Sequence, residues 1–146
     1  MSEKISFEEY LKQNETLTYT NVGTSMMPLL RQGKDLFTVV RKGPERCRIG
    51  DVVLYKRNRQ YVLHRIIEVR EHDYVILGDN CIQKEYGITD SDILGVMTGF
   101  VRDGKEYSVN DKQYQAYTKF ILSTADARTL TKRITLKLKR KLKEML

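Results

Sequence analysis

Long apolar runs are missing from this chain of 146 residues: nowhere does it approach the roughly 18 to 20 consecutive apolar residues of a membrane-spanning helix. Its first ten residues are acidic and polar and lack the apolar centre of a signal peptide. A protein made and kept in the cytoplasm is therefore expected. Cysteine is scarce. Cys47 and Cys81 stand far apart, without Cys-x-x-Cys or His-rich spacing, which argues against a zinc site and against a disulfide-dense secreted fold. Two reduced thiols are expected. No linker divides the chain, and its length is that of one domain with a real core. Acid is in deficit: 19 Asp and Glu face 26 Lys and Arg, for a formal charge of +7, and much of the excess sits in the last fifteen residues. That distribution points to a partner of the tail, with no nucleic-acid-binding domain expected.

What is present reads mostly as short strands. Residues 6–12 carry Phe7, Tyr10 and Leu11 at helical spacing, with Ser6 as N-cap and Glu8 and Glu9 in the first turn. Strands are predicted over 16–22 and 36–40, with a loop over 41–49 that holds Pro44. Gly50-Asp51 then turns into Val52-Val53-Leu54-Tyr55, the near-continuous apolar run of a strand buried on both faces. In residues 61–69 the two-residue period places Val62, His64 and Ile66 on one face and Leu63, Ile67 and Val69 on the other. A strand over 74–77, a turn over 88–92, a strand over 93–101 and a hairpin at Asp103-Gly104 complete a mainly β, antiparallel body. From Asn110 the pattern becomes helical, with a break or bend expected over 123–128. Residues 129–146 then form an amphipathic basic helix: Leu130, Ile134, Leu138, Leu142 and Met145 recur at helical spacing between Lys132, Arg133, Lys137, Arg140, Lys141 and Lys143. Two roles are open to it. It either packs its apolar stripe on the body with the charges in water, or lies on an anionic membrane surface or a partner protein.

Chemistry centres on Ser25, set between Gly23, which turns freely, and Pro28, which stiffens the exit. Serine in a turn is also ordinary turn chemistry, a strand histidine such as His64 is more often a hydrogen-bonded core residue, and Asp79 could simply cap its turn. His72, in a polar turn, reads as exposed. Together, though, Ser25, His64 and Asp79 supply a nucleophile, a base and an orienter of that base.

The surrounding residues resemble a known family. Gly23-Thr24-Ser25-Met26-Met27-Pro28 looks like the Ser-Met-x-Pro box of type I signal peptidases, Gly50-Asp51-Val52-Val53 like their Gly-Asp-Val-Val segment, Leu63-His64-Arg65-Ile66 like the strand carrying their base, and Leu77-Gly78-Asp79-Asn80 like their Gly-Asp-Asn box. The four occur in the family's order between Asn21 and Gly99, and the superfamily includes LexA-like self-cleaving repressors. The resemblance implies an antiparallel β fold around a serine endopeptidase site, with His64 in the place where bacterial members usually have lysine; Lys56 and Lys84 do not fall there. In histidine-type members the acid lies a few residues beyond the Gly-Asp-Asn box, which here points to Glu85. The third group is thus Asp79, slightly preferred for its clear box, or Glu85. A hydroxyl residue two before the nucleophile is replaced by Gly23, so the oxyanion would rest mainly on backbone N–H groups, including that of Ser25. No membrane anchor precedes the serine box.

These readings together predict a signal-peptidase-like catalytic β domain over 1–109 with a short N-terminal helix, and a helical basic extension over 110–146. The expected activity is cleavage of a leader or signal-like peptide after a small residue through an acyl-enzyme, without metal or organic cofactor. The expected setting is the cytoplasm, peripheral at the inner face of the membrane. Two alternatives are a silent peptide-binding or scaffold module of the same fold, and a self-cleaving repressor-like peptidase; the latter lacks a preceding helix-turn-helix and a lysine base.

Overall fold

The computed structural model describes residues 5–145. The acidic N-terminal reading over Met1 to Lys4 and the last residue of the expected C-terminal helix, Leu146, lie outside the described residues. The chain opens with helix α1 (Phe7–Gln13), capped as its sequence predicts: the Ser6 hydroxyl accepts the Glu9 N–H at 3.1 Å, and Glu8 and Glu9 occupy the first turn. Eight strands follow: β1 (Thr16–Thr20), β2 (Leu36–Arg41), β3 (Val52–Arg57), β4 (Gln60–Val69), β5 (Tyr74–Leu77), β6 (Glu85–Ile88), β7 (Ile93–Arg102) and β8 (Lys105–Ser108), with a short 3-10 turn at Asp90–Asp92 before β7. Helix α2 (Lys112–Met145) ends the chain.

All pairings are antiparallel, in the order β1-β2-β7-β3-β4-β5-β6. One edge of β7 takes β2, and the other is divided between β3 at its start and β8 at its end. Its ten residues are long enough for both partners. The sheet carries a core on each face. Val52, Leu54 and Leu63 join Leu17, Met26, Leu30, Val39 and Met97 in one cluster, while Val53, Tyr55 and Ile66 join Tyr74, Ile76 and Ile93 in the other. That is why β3 reads as an unbroken apolar run: both of its faces are covered. The alternation predicted for β4 also holds, with Val62 and Ile66 on the second cluster and Leu63 on the first, until a bulge between Ile66 and Glu68 shifts the register.

Three points separate the structure from the sequence reading: a strand it did not predict, a helix break that is absent, and an open alternative that is decided. No strand is predicted over 82–88, yet β6 pairs with β5 there at the sheet edge. Its four residues, two of them exposed, carry too little apolar signal to read as a strand. Second, α2 runs through residues 123–128 without a break. That stretch contains neither glycine nor proline, and the Ser123 and Thr124 hydroxyls donate to the Phe120 carbonyl at 3.1 and 2.6 Å within the helix. Third, the C-terminal apolar stripe does not pack on the body: Leu130, Ile134, Leu138, Leu142 and Met145 are 49–82% exposed. The hydrogen bonds from this part of α2 to the body come from cations. Arg128 donates to the Asp79 carbonyl at 2.7 Å, Lys132 to Asn80 at 2.7 and 3.0 Å, and Arg133 to the Ile82 carbonyl at 3.1 Å. Among the described residues no helix is long and apolar enough to cross a membrane.

Candidate active site

Ser25 lies on the loop between β1 and β2, and the loop is held from within. Gly23 takes the left-handed φ of 86° that the turn needs. The buried Asn21 amide donates to the carbonyls of Gly23, Leu30 and Arg31, and Asp35, also buried, accepts from Arg31 and Arg102. Met26 drops into the core and Ser25 stays half-buried on the other side of the turn. Among the described residues the Ser25 backbone N–H has no protein acceptor.

The Gly-Asp-Asn turn that follows β5 docks directly on this loop. Asn80 donates its backbone N–H to the Ser25 carbonyl at 2.8 Å and its side-chain amide to the Thr24 carbonyl at 3.1 Å, while the Asp79 N–H reaches the Met26 sulfur at 3.4 Å. Gly78 is the pinch point. A Cβ there would stand 2.8 Å from the Ser25 carbonyl oxygen, 3.0 Å from His64 Cδ2 and 2.6 Å from Cys81 Sγ, so only glycine lets the serine loop, the β4 histidine and the turn meet.

His64 is buried, paired with Val53 across β3 and β4. Its Nδ1 lies 3.3 Å from the Tyr55 hydroxyl and 3.8 Å from Glu85 Oε1, and its Nε2 lies 4.0 Å from Cys81 Sγ. Glu85, at the start of β6, is itself ion-paired with Arg57. Burial pushes the His64 pKa below its ordinary value; the Glu85 carboxylate opposes that shift and Arg57 adds to it. The imidazole is therefore neutral at neutral pH, the state a general base requires. Burial, then the Glu85 charge, drives the Tyr55 phenol well above its ordinary pKa, so its hydroxyl keeps its proton. Burial likewise raises the Cys81 thiol.

Asp79, preferred from sequence as the group that orients the histidine, is placed elsewhere. Its two carboxylate oxygens accept from Arg65 Nε at 2.8 Å and Nη2 at 2.9 Å, and Oδ2 also accepts from the Tyr117 hydroxyl at 2.8 Å. Arg65 extends to the Gly50 carbonyl at 2.8 Å and the Tyr114 and Thr118 hydroxyls at 3.3 and 3.2 Å. This fully buried pair ties together the Gly50-Asp51 turn, β4, the Gly-Asp-Asn turn and α2. The carboxylate brought to His64 is Glu85.

Ser25, His64, Asn80, Cys81 and Glu85 line one cleft of about 1210 Å³, walled on one side by α2 through Lys132, Leu136 and Lys139. Lys56 pairs with Glu8 and Lys84 with Asp126, and neither lines the cleft. His72 is exposed, as expected. Three residues beside His64 have no site role in the sequence reading: Tyr55, Arg57 and Cys81. Tyr55 was legible only as an apolar strand residue; a signal existed in its being two positions from Val53, hence on the same face of β3. No family model matches this chain, and no curated protein does.

Proposed function

We propose that this protein is a serine endopeptidase of the signal-peptidase-like type, cleaving a leader or signal-like peptide after a small residue. The observation that carries the reading is the convergence at Gly78, where the Ser25 main chain and the His64 ring approach the same point, both residues lining one cleft. In the reaction, Ser25 Oγ bonds to the scissile carbonyl carbon while its proton passes to His64 Nε2. The free Ser25 N–H supports the oxyanion. Collapse breaks the C–N bond, the amine leaves with the proton from His64, and water, deprotonated by the same imidazole, hydrolyses the ester. Glu85 is the acid. At 3.8 Å it is beyond direct hydrogen-bond length from Nδ1, and the Tyr55 hydroxyl bridges the gap: it accepts from Nδ1–H and donates toward Glu85, which fixes the tautomer with the lone pair on Nε2. No metal or organic cofactor enters this chemistry. Labelling of Ser25 by a peptidyl phosphonate, lost in Ser25→Ala and in His64→Gln, tests the assignment.

A second reading, a silent peptide-binding module of the same fold, is favoured by the surroundings of the His64 ring. Among the described residues the His64 ring nitrogens meet Tyr55, Glu85 and Cys81, and none is hydrogen-bonded to Ser25. Catalytic hydrogen bonds are often long before substrate binds, which keeps the peptidase reading first. Failure of phosphonate labelling, with peptide binding retained, would select the module.

The exposed stripe of α2 between basic flanks supports a peripheral position on an anionic membrane surface at the cytoplasmic face. Leu138 and Leu142 would enter the interface, and Lys137, Arg140, Lys141 and Lys143 would meet acidic headgroups.

A further inference from the structure

The α2 wall of the cleft is chemically one-sided. Thr131, Lys132, Thr135, Leu136 and Lys139 form one face of the helix along the cleft. The charged lining residues of the whole cleft are Arg57, Lys132 and Lys139 against Glu85. Glu85 is already paired with Arg57, so the two lysines are left without a compensating anion. Lys132 donates only to neutral oxygens of Asn80, and Lys139 has no hydrogen-bond or ion-pair partner among the described residues. The nearby cations Arg133, Arg140 and Lys143 extend the same positive field, with Glu144 the only acid of residues 129–145.

We infer that the cleft selects peptides carrying acidic side chains in the segment that lies along α2, a specificity that rests on the peptidase reading of the site. An apolar peptide would leave the lysine charges uncompensated and a basic one would be repelled, whereas carboxylates satisfy both. Lys132 and Lys139 are seven residues apart, about 10 Å along the helix axis. An extended chain covers that in about three residues, so two acidic positions spaced two to four apart engage both lysines. Leu136 stands between them and gives the intervening substrate residue an apolar contact.

Binding measured separately from cleavage tests this. Fluorescein-labelled Ala/Gly peptides bearing either two Glu or two Gln at that spacing are titrated against Ser25→Ala protein, with fluorescence anisotropy as readout. At low salt the Glu peptide should bind roughly fivefold or more tightly than its Gln isostere, the advantage shrinking as salt rises. Lys139→Glu, at an exposed side chain without partners, should remove most of that advantage, and Lys132→Glu/Lys139→Glu should prefer a Lys-bearing peptide. Equal binding of the Glu and Gln peptides, or an undiminished Glu preference in both charge-reversed proteins, overturns the proposal. So does an oligothymidylate of matched charge that binds the cleft more tightly than the Glu peptide. The same peptides with Ser25 intact separate the two readings: a Glu preference in binding without any cleavage leaves the specificity standing and removes the peptidase.

Discussion

Asp79 and Arg65 face each other through two parallel hydrogen bonds of 2.8 and 2.9 Å, with both side chains wholly out of solvent. A pair held this way is structural: removing one partner leaves the other charge buried and unmatched, at a cost of about 3–5 kcal/mol. Asp79→Asn should therefore lower thermal and denaturant stability by that order. Glu85→Gln, whose Arg57 partner is nearly half exposed, should shift stability by no more than about 1 kcal/mol while slowing peptide cleavage by 10² or more, on the order of 10⁴ at the extreme. Denaturation curves beside kcat/KM for the two variants check the assignment; an Asp79→Asn protein of native stability that fails only in catalysis would return the acid to Asp79.

The pH profile should report the groups around His64, which are Tyr55 and Arg57 from β3, Glu85 from β6, Cys81 from the turn and the more distant charge of Asp79. Because burial lowers the histidine pKa, kcat/KM should hold to below about 6.5 before it falls with acid. Glu85→Gln removes a charge that raises this pKa, so its acid limb should move lower; Arg57→Gln removes one that lowers it, so its limb should move higher. The linkage has the same sign. The unfolded chain binds this proton more readily, so the His64 contribution to stability is full above the unfolded value near 6.5 and is lost as pH falls through that value toward the lower folded one. Limbs that do not move in opposite directions in the two variants would exclude His64 as the titrating base.

Ser25 and Cys81 both line the cleft with His64, so two residues there carry a nucleophilic atom. Ser25→Ala should abolish cleavage by four orders of magnitude or more, whereas Cys81→Ala should stay within severalfold of the parent, because its thiol pKa is raised by burial and little thiolate forms. Purified variants on one peptide substrate decide it. The reverse pattern would make Cys81 the nucleophile.

Gly78→Ala places a methyl group 2.8 Å from a main-chain oxygen of the serine loop, an atom that cannot rotate away. The loop and the turn must separate, so activity should drop by at least 10² with a stability loss of about 1–3 kcal/mol. A fully active, stable Gly78→Ala protein would show that the close approach of the three segments does not govern the site.

Vesicles containing anionic lipid should sediment the full chain at low salt, and binding should weaken as salt rises, since each basic residue near such a surface contributes roughly 1 kcal/mol. Replacing Ile134, Leu138 and Leu142 with serine should abolish binding without unfolding the body, because all three are exposed. A chain that ignores the vesicles, or a serine variant that binds as well as the parent, would leave the stripe to a partner protein.

Local periodicity carried much of this protein. The double-faced burial of Val52 to Tyr55, the alternation of Val62, Leu63 and Ile66, and the Ser6 cap depend on residues close in sequence, and all are readable there. Which carboxylate meets the histidine is not a local property. It follows from the β3–β4 register, which pairs Val53 with His64 and so sets Tyr55 against Nδ1, and from β6 returning along β5 to deliver Glu85. Asp79 lies in the clearer motif, but the buried guanidinium of Arg65, adjacent to His64 in sequence and on the opposite face of the strand, takes its charge first. The orientation of α2 was likewise undetermined by its amphipathic pattern, since either face could bury. Tertiary structure brought Arg128, Lys132 and Arg133 onto the turn over 79–82, whose main-chain carbonyls accept their hydrogen bonds, and left the apolar stripe and the later cations in solvent.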